Sequence, residues 1–181
     1  SIEVRQEHNP FTLLITGTEG KTGAKVQFHH ILNRQTKAHG VLNSANTEVP
    51  VLRSLINLRE DDKIEINEVS VGSDEAYRVE RTKMVNPNLC FFTNIGPNHM
   101  DMHKTIDNIM IAKSSVVEGL REGGKCILNS NIEHYPKLLN AIFSRRPNTP
   151  ILTYGINKSD NAILLNQSFD SDKFGWNVKA N

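Results

Sequence analysis

The chain has 181 residues, with 21 Lys and Arg against 20 Asp and Glu, and 38% hydrophobic residues. That length and composition suit one domain with a substantial core. The near-neutral balance excludes a dedicated nucleic-acid or anionic-membrane binder, because both rely on excess Lys and Arg. No apolar run approaches a bilayer span, and the first residues do not read as a signal peptide. Cys90 and Cys126 each sit in a short apolar run. They read as buried free thiols of a reducing, cytoplasmic setting rather than a disulfide framework. Starting at Ser1, the chain reads as a processed protein or an excised piece.

Short β-type runs alternate with helical periods. Residues 11–16 read as a buried strand, followed by a Gly-containing turn and a helix over 21–33, with Ala24, Phe28 and Ile31 or Leu32 on one face. A second helix is expected over 49–58, opened by Pro50. A strand over 63–69, a polar helix over 74–83 and a strand over 89–95 follow. Residues 106–120 form the clearest helical period, stopped by Gly123 and Gly124. Then come a strand over 125–128, a helix marked by Ile132, Tyr135, Leu138, Leu139 and Ile142, and a strand over 151–154. The segments 162–165 and 174–178 read as a terminal β-hairpin. The expected class is α/β, a mostly parallel sheet flanked by helices, of phosphate-loop nucleotide-binding type. The whole chain is expected to form a single domain, with a core over 11–155 and a β extension over 156–181. Ligands of such sheets bind at the carboxyl ends of the strands, so chemistry is sought there.

After the first strand comes Thr16-Gly17-Thr18-Glu19-Gly20-Lys21-Thr22, and then a helix. Glycines let backbone N–H groups turn onto a phosphate, the helix N-terminus adds partial positive charge, Lys21 reaches the outer phosphates and Thr22 can ligate Mg²⁺. Ile15 stands where the general eight-residue pattern has its first Gly. Asn157-Lys158-Ser159-Asp160 matches a guanine-reading motif. The only Asp-x-x-Gly, Asp172 to Gly175, follows it instead of preceding it, so the match reads as a loop coincidence.

Glu68, at the tip of the strand over 63–69, is a natural Mg²⁺ ligand beside a phosphate loop, or a plain acidic strand end. His99, Asp101 and His103 follow the strand over 89–95, without the further ligands a complete transition-metal site needs. Lys113 falls on the apolar stripe of Ile106, Ile109, Met110, Val117 and Leu120. Desolvation there would lower its pKa and leave a neutral amine able to take up CO₂ as a carbamate. From periodicity alone the favoured reading is a packed stem whose ammonium snorkels to water.

Taken together, ITGTEGKT over 15–22, Glu68-Val69-Ser70, TNIGPNH over 93–99, and Ala112-Lys113 fourteen residues beyond His99 occur in the order found in the Mur ligases. The resemblance covers about residues 11–155 and is to the central ATP-binding domain. The wording of 43–50 (NSANTEVP), with Leu52 and Leu55, leans towards the branch that adds D-alanyl-D-alanine to a UDP-MurNAc-tripeptide. Folylpolyglutamate synthases and cyanophycin synthetases share the domain.

The resemblance implies an ATP-dependent carboxylate–amine ligase acting through an acyl phosphate. In it, Gly17, Thr18, Glu19, Gly20, Lys21, Thr22 and Asn94 line the nucleotide. Lys21, His99 and Lys113 carry catalytic roles, and Thr22, Glu68, His99 and a carbamylated Lys113 serve Mg²⁺. It also implies a UDP-linked or other carboxylate substrate, an amino acid or dipeptide amine, and N- and C-terminal ligase domains outside this chain. This chain alone is then expected to bind Mg·ATP without ligating. Asn98, Gly23, Ala24 and Asn129-Ser130-Asn131 depart from the family's usual residues, which loosens the substrate assignment more than the nucleotide one. The other readings are a catalytically silent nucleotide-binding module and a free-standing phosphate-loop hydrolase or kinase.

Overall fold

Five of the six residues in Phe11–Thr16 are buried, as a strand covered on both faces requires. In the computed structural model, which describes residues 8–42, 54–70, 75–97, 104–170 and 175–180, this run is the strand β1. It is followed by α1 (Lys21–Leu32), β2 (Ala38–His39), β3 (Ile64–Glu68), α2 (Glu75–Val85), β4 (Leu89–Phe92) and α3 (Ile106–Ser114). A 3-10 segment (Ser115–Gly119), β5 (Lys125–Asn129), α4 (Tyr135–Arg145), β6 (Ile151–Gly155), β7 (Ala162–Asp170) and β8 (Gly175–Ala180) complete the order.

The eight strands form one sheet, ordered β2-β3-β1-β4-β5-β6-β7-β8. Every pairing is parallel except β7 with β8. After β1 the chain builds outward to β2 and β3 on one side, then crosses to β4 and continues to the other edge. The topological switch point therefore lies at the carboxyl end of β1, where a crevice opens in sheets of this kind. The terminal hairpin is present with longer strands than expected, and β7 docks parallel on β6 through Tyr154↔Ala162 and Gly155↔Ile163.

Both faces of the sheet are covered. Leu14, Cys90, Phe92, Cys126 and Leu128 pack with Met110, Val116, Val117, Leu138 and Ile142 in the larger cluster. Each such aliphatic side chain contributes roughly 1.5–3 kcal/mol when fully buried. Under α1, Leu13, Ile15, Ala38 and Ile66 pack with Ala24, Phe28, Leu32 and Phe91. Leu32 is thus the core residue of the α1 face, and Ile31 is 58% exposed. Cys90 and Cys126 are buried free thiols in register on neighbouring strands. Burial pushes both thiols up, Cys126 to about 12.

Two expected elements differ, and one short strand was not expected. The period over 106–120 is not one α-helix: α3 ends at Ser114 and a 3-10 segment runs to Gly119. Ser114 and Ser115 return their hydroxyls to the carbonyls of Ile111 (2.8 Å) and Ala112 (2.7 Å), which favours tightening of the last turn. The strand over 89–95 stops at Phe92, because Thr93 and Asn94 turn to the β1 loop. The two-residue β2 is too short to leave a periodic signal. Of the helix expected over 49–58, residues 54–56 are helical and 49–53 lie outside the described residues.

Candidate nucleotide site

The loop between β1 and α1 is shaped by glycine and anchored by β4. Gly17 has φ 140°, and a Cβ there would come within 2.0 Å of Thr93 Oγ1, so only glycine lets the loop pass so close to the strand exit. Asn94 holds the loop at two points. Its carbonyl accepts the Thr18 N–H (3.0 Å), and its side-chain Oδ1 accepts the Glu19 N–H (2.8 Å). Thr93 donates its hydroxyl to the Glu19 carbonyl at 2.5 Å, and the Gly96 N–H donates to Thr18 Oγ1 at 3.1 Å. Asn94, expected to line the nucleotide, here ties down the loop.

Beyond that clamp the backbone opens. No side chain caps the N-terminus of α1, and its first intrahelical bond is donated by Ala24 to Gly20. The amides from Gly20 to Thr22 thus precede the helical ladder, at the positive end of the helix dipole. Lys21 Nζ donates to the Thr18 carbonyl at 2.9 Å and so lies along the loop. Desolvation lowers its pKa, while Glu68 and Glu19 pull the other way.

Two further elements converge. Glu68, at the end of β3, is 2% exposed. Thr22 Oγ1 lies 3.1 Å from its Oε1 and 3.0 Å from its Oε2. Lys113, on α3, is buried at 5% exposure and donates to the Gly17 carbonyl at 2.7 Å. Its ammonium does not snorkel to water. Burial, then the charges of Lys21 and Arg78, lower its pKa to about 7. Gly17, Thr18, Glu19, Gly20, Lys21, Thr22, Glu68, Asn94 and Lys113 thus gather around the loop at the carboxyl end of β1, whereas His99, Asp101 and His103 lie outside the described residues.

Mg²⁺ takes oxygen ligands at about 2.0–2.1 Å in an octahedron, which sets neighbouring oxygens about 2.9 Å apart. The Thr22 hydroxyl and the Glu68 carboxylate, 3.0–3.1 Å apart, fit that edge. Among the described residues no group of three or more His, Cys, Asp or Glu could hold a metal. A hard cation here would keep much of its coordination for phosphate and water.

The sequence pattern of the Mur ligase middle domain matches residues 15–180. The chain belongs to the Mur ligase middle-domain family. A curated relative, UDP-N-acetylmuramoyl-tripeptide--D-alanyl-D-alanine ligase of Buchnera aphidicola subsp. Baizongia pistaciae, is 26% identical over 164 residues, covering 90% of this chain and 34% of the relative. The fold is similar to that of MurF from Acinetobacter baumannii, with TM-score 0.84, 19% identity, and coverage of 98% of this chain and 37% of that one. MurF from Thermotoga maritima, solved in complex with ADP, superposes with TM-score 0.79 at 18% identity, covering 94% and 38%. The chain thus spans about a third of the length of these proteins. Among the described residues, no helix is long and apolar enough to cross a membrane.

In this Mur ligase middle domain the Asn157 to Asp160 motif is a structural lock. Asp160 accepts the Ser130 hydroxyl (2.8 Å) and the Asn157 N–H (3.0 Å), and Asn157 Nδ2 donates to Ser130 Oγ (2.9 Å). With its carboxylate so engaged, Asp160 closes the β6–β7 loop.

Two residues of the site escape sequence reasoning. Tyr154 reaches from β6 across β5, its hydroxyl 3.2 Å from the Phe92 carbonyl and 3.0 Å from that of Thr93, the residues that lead into the loop clamp. Burial raises its pKa to about 12. Lys25 is buried on α1 against Glu68. Its spacing of three from Thr22 and four from Lys21 is the signal that places it on their helix face.

Proposed function

We propose that this chain is the Mg·ATP-binding middle domain of a cytoplasmic ATP-dependent carboxylate–amine ligase that builds UDP-MurNAc-peptide precursors of peptidoglycan. The observation that carries this reading is the uncapped α1 N-terminus with Lys21 at the switch point, faced by Thr22–Glu68 and by Lys113. The relatives' names supply the reaction class. A substrate carboxylate attacks the γ-phosphate of ATP, releasing ADP and leaving an acyl phosphate. An amino acid or dipeptide amine then displaces inorganic phosphate and forms the amide.

The amides of Gly20, Lys21 and Thr22 would take the phosphates, within a loop whose shape Gly17, Thr18, Glu19 and Asn94 maintain. Lys21 would stabilise charge on the transferring phosphoryl group. Thr22 and Glu68, with His99, would hold Mg²⁺, which when bound neutralises charge on the β- and γ-phosphates. The carboxylate and amine substrates would be held by N- and C-terminal ligase domains lying outside this chain.

Calorimetric titration of the chain with Mg·ATP and Mg·GTP tests this reading. The expected result is ATP binding with GTP at least about tenfold weaker, because Asp160 is engaged within its own loop. Equal affinities, or no heat with either nucleotide, would refute it.

Lys113 is proposed as the carbamylated ligand. A neutral amine and CO₂ give a carbamate and release one proton. A pKa of about 7 leaves the Nζ largely neutral at pH 8 and largely protonated at pH 6. With ¹³C-bicarbonate and Mg²⁺, the parent should show a carbamate carbon resonance at pH 8 that fades towards pH 6 and is missing in Lys113→Met. No resonance at pH 8, or one that survives Lys113→Met, would remove this assignment.

A further inference from the structure

The face of α1 that carries Thr22 also carries Lys25 one turn on, and both side chains meet the same carboxylate. Lys25 Nζ lies 2.8 Å from Glu68 Oε2, with both side chains 1% exposed. The neighbouring lysines are directed elsewhere: Lys21 to the Thr18 carbonyl and Lys113 to the Gly17 carbonyl. A fully buried ion pair is a weak source of stability, since desolvating two charges cancels much of their attraction. The other α1 side chains turned to the sheet, Ala24, Phe28 and Leu32, show that this face packs well with apolar groups. Stability alone therefore does not account for a buried cation at position 25, at the tip of β3 and beside the glycine loop.

The two carboxylate oxygens of Glu68 are not equivalent. Oε2 faces both the ammonium of Lys25 (2.8 Å) and the hydroxyl of Thr22 (3.0 Å). Oε1 faces Thr22 Oγ1 at 3.1 Å. The single hydroxyl proton serves one oxygen at a time, so Oε1 keeps acceptor capacity on the Thr22 side. With Oε2 tethered, the carboxylate cannot swing through its other rotations, and Oε1 and Oγ1 stay at the spacing that suits Mg²⁺.

We propose that Lys25 is a positioning residue that anchors Glu68 Oε2 so that Oε1 and the Thr22 hydroxyl are held ready for a divalent cation. The proposal rests on the reading of Thr22 and Glu68 as Mg²⁺-holding oxygens. Groups that orient a metal ligand without touching the metal change metal affinity by about 10–100-fold when removed.

The test uses Mn²⁺ as the probe. Free Mn²⁺ is read by electron paramagnetic resonance in the presence of ADP, and metal-free ADP affinity by calorimetry in EDTA. Lys25→Met is expected to weaken Mn²⁺ binding about tenfold, with metal-free ADP affinity within about twofold of the parent. A residue acting through Glu68 should add less than about twofold when placed on Glu68→Gln. If Lys25→Met does not fold, Lys25→Gln keeps a donor without the charge, and a loss of at least about threefold is expected. Parental Mn²⁺ affinity in the folded Lys25 variant, or a full loss persisting on the Glu68→Gln background, overturns the proposal. If Glu68→Gln itself leaves Mn²⁺ affinity unchanged, the metal reading fails first, and the Lys25 proposal falls with it.

Discussion

Lys21→Ala is expected to weaken Mg·ATP binding by about two orders of magnitude, roughly 2.7 kcal/mol, while the protein stays folded. The half-buried Lys21 ammonium has one hydrogen-bond partner in the loop, the Thr18 carbonyl at 2.9 Å. Alanine removes the cation without opening a core cavity, and α1 keeps its hydrogen-bond ladder. What disappears is a charge-assisted contact to phosphate, worth about 1.5–3 kcal/mol where water is partly excluded. Lys21 also contributes to lowering the Lys113 pKa, so its removal should let that pKa rise. The measurement is calorimetry with Mg·ATP, paired with thermal unfolding. Binding within threefold of the parent would mean that Lys21 does not contact the phosphates. A loss of structure would mean that the residue is structural.

This site was legible in the sequence where backbone chemistry demands particular residues. Gly17, Gly20, Lys21 and Thr22 between a β-run and a helical period are constrained by φ values, by close approach and by phosphate chemistry at once. The structure agrees with the backbone part of that reading: Gly17 and Gly20 take positive φ and a helix starts at Lys21. Lys113 was legible as a periodic anomaly, but the stripe alone could not separate burial from snorkelling. Only the three-dimensional packing, with the Gly17 carbonyl at its tip, decides for burial.

Lys25 was legible in its helix face but not in its burial or its partner. A lysine early in a helix looks like a solvated charge, and its partner Glu68 lies on a strand 43 positions later. The anchoring role of Asn94 was hidden too, because its partners, the Thr18 and Glu19 amides, lie 75 or more positions earlier in the chain. The end of α3 was missed because the hydrophobic period continues through Val116 and Val117, both fully buried, while two serine hydroxyls alter the backbone beneath it.

The same 3-10 segment holds a position where a single methyl group should be costly. A Cβ on Gly119 would meet the backbone carbonyl carbon of Thr82 at 2.3 Å, its oxygen at 2.4 Å and its Cβ at 2.6 Å. These atoms belong to the body of α2 and cannot rotate away, so α2 and the 3-10 segment would have to separate. Overpacking of this kind costs typically 1–3 kcal/mol and more when the obstacle is backbone, and at least about 3 kcal/mol is expected for Gly119→Ala. For a domain of this size that lowers the melting temperature by roughly 6–12 °C.

Gly123→Ala provides the comparison. Gly123 has φ 70° but nothing within 4 Å of its would-be Cβ, so only the left-handed backbone penalty of about 1–2 kcal/mol applies, roughly 2–8 °C. The consequence of Gly119→Ala should extend to the site. Arg78 on α2 donates from Nε to Ser115 Oγ of the 3-10 segment at 3.4 Å, and its charge helps to lower the Lys113 pKa. Separating the two elements moves Arg78 from Lys113, so the Lys113 pKa should rise in Gly119→Ala and not in Gly123→Ala. Thermal unfolding of the two variants, with the Lys113 amine followed by NMR titration, checks both parts. A Gly119→Ala protein that melts within 2 °C of the parent would show that α2 does not pack here as tightly as its backbone contacts require.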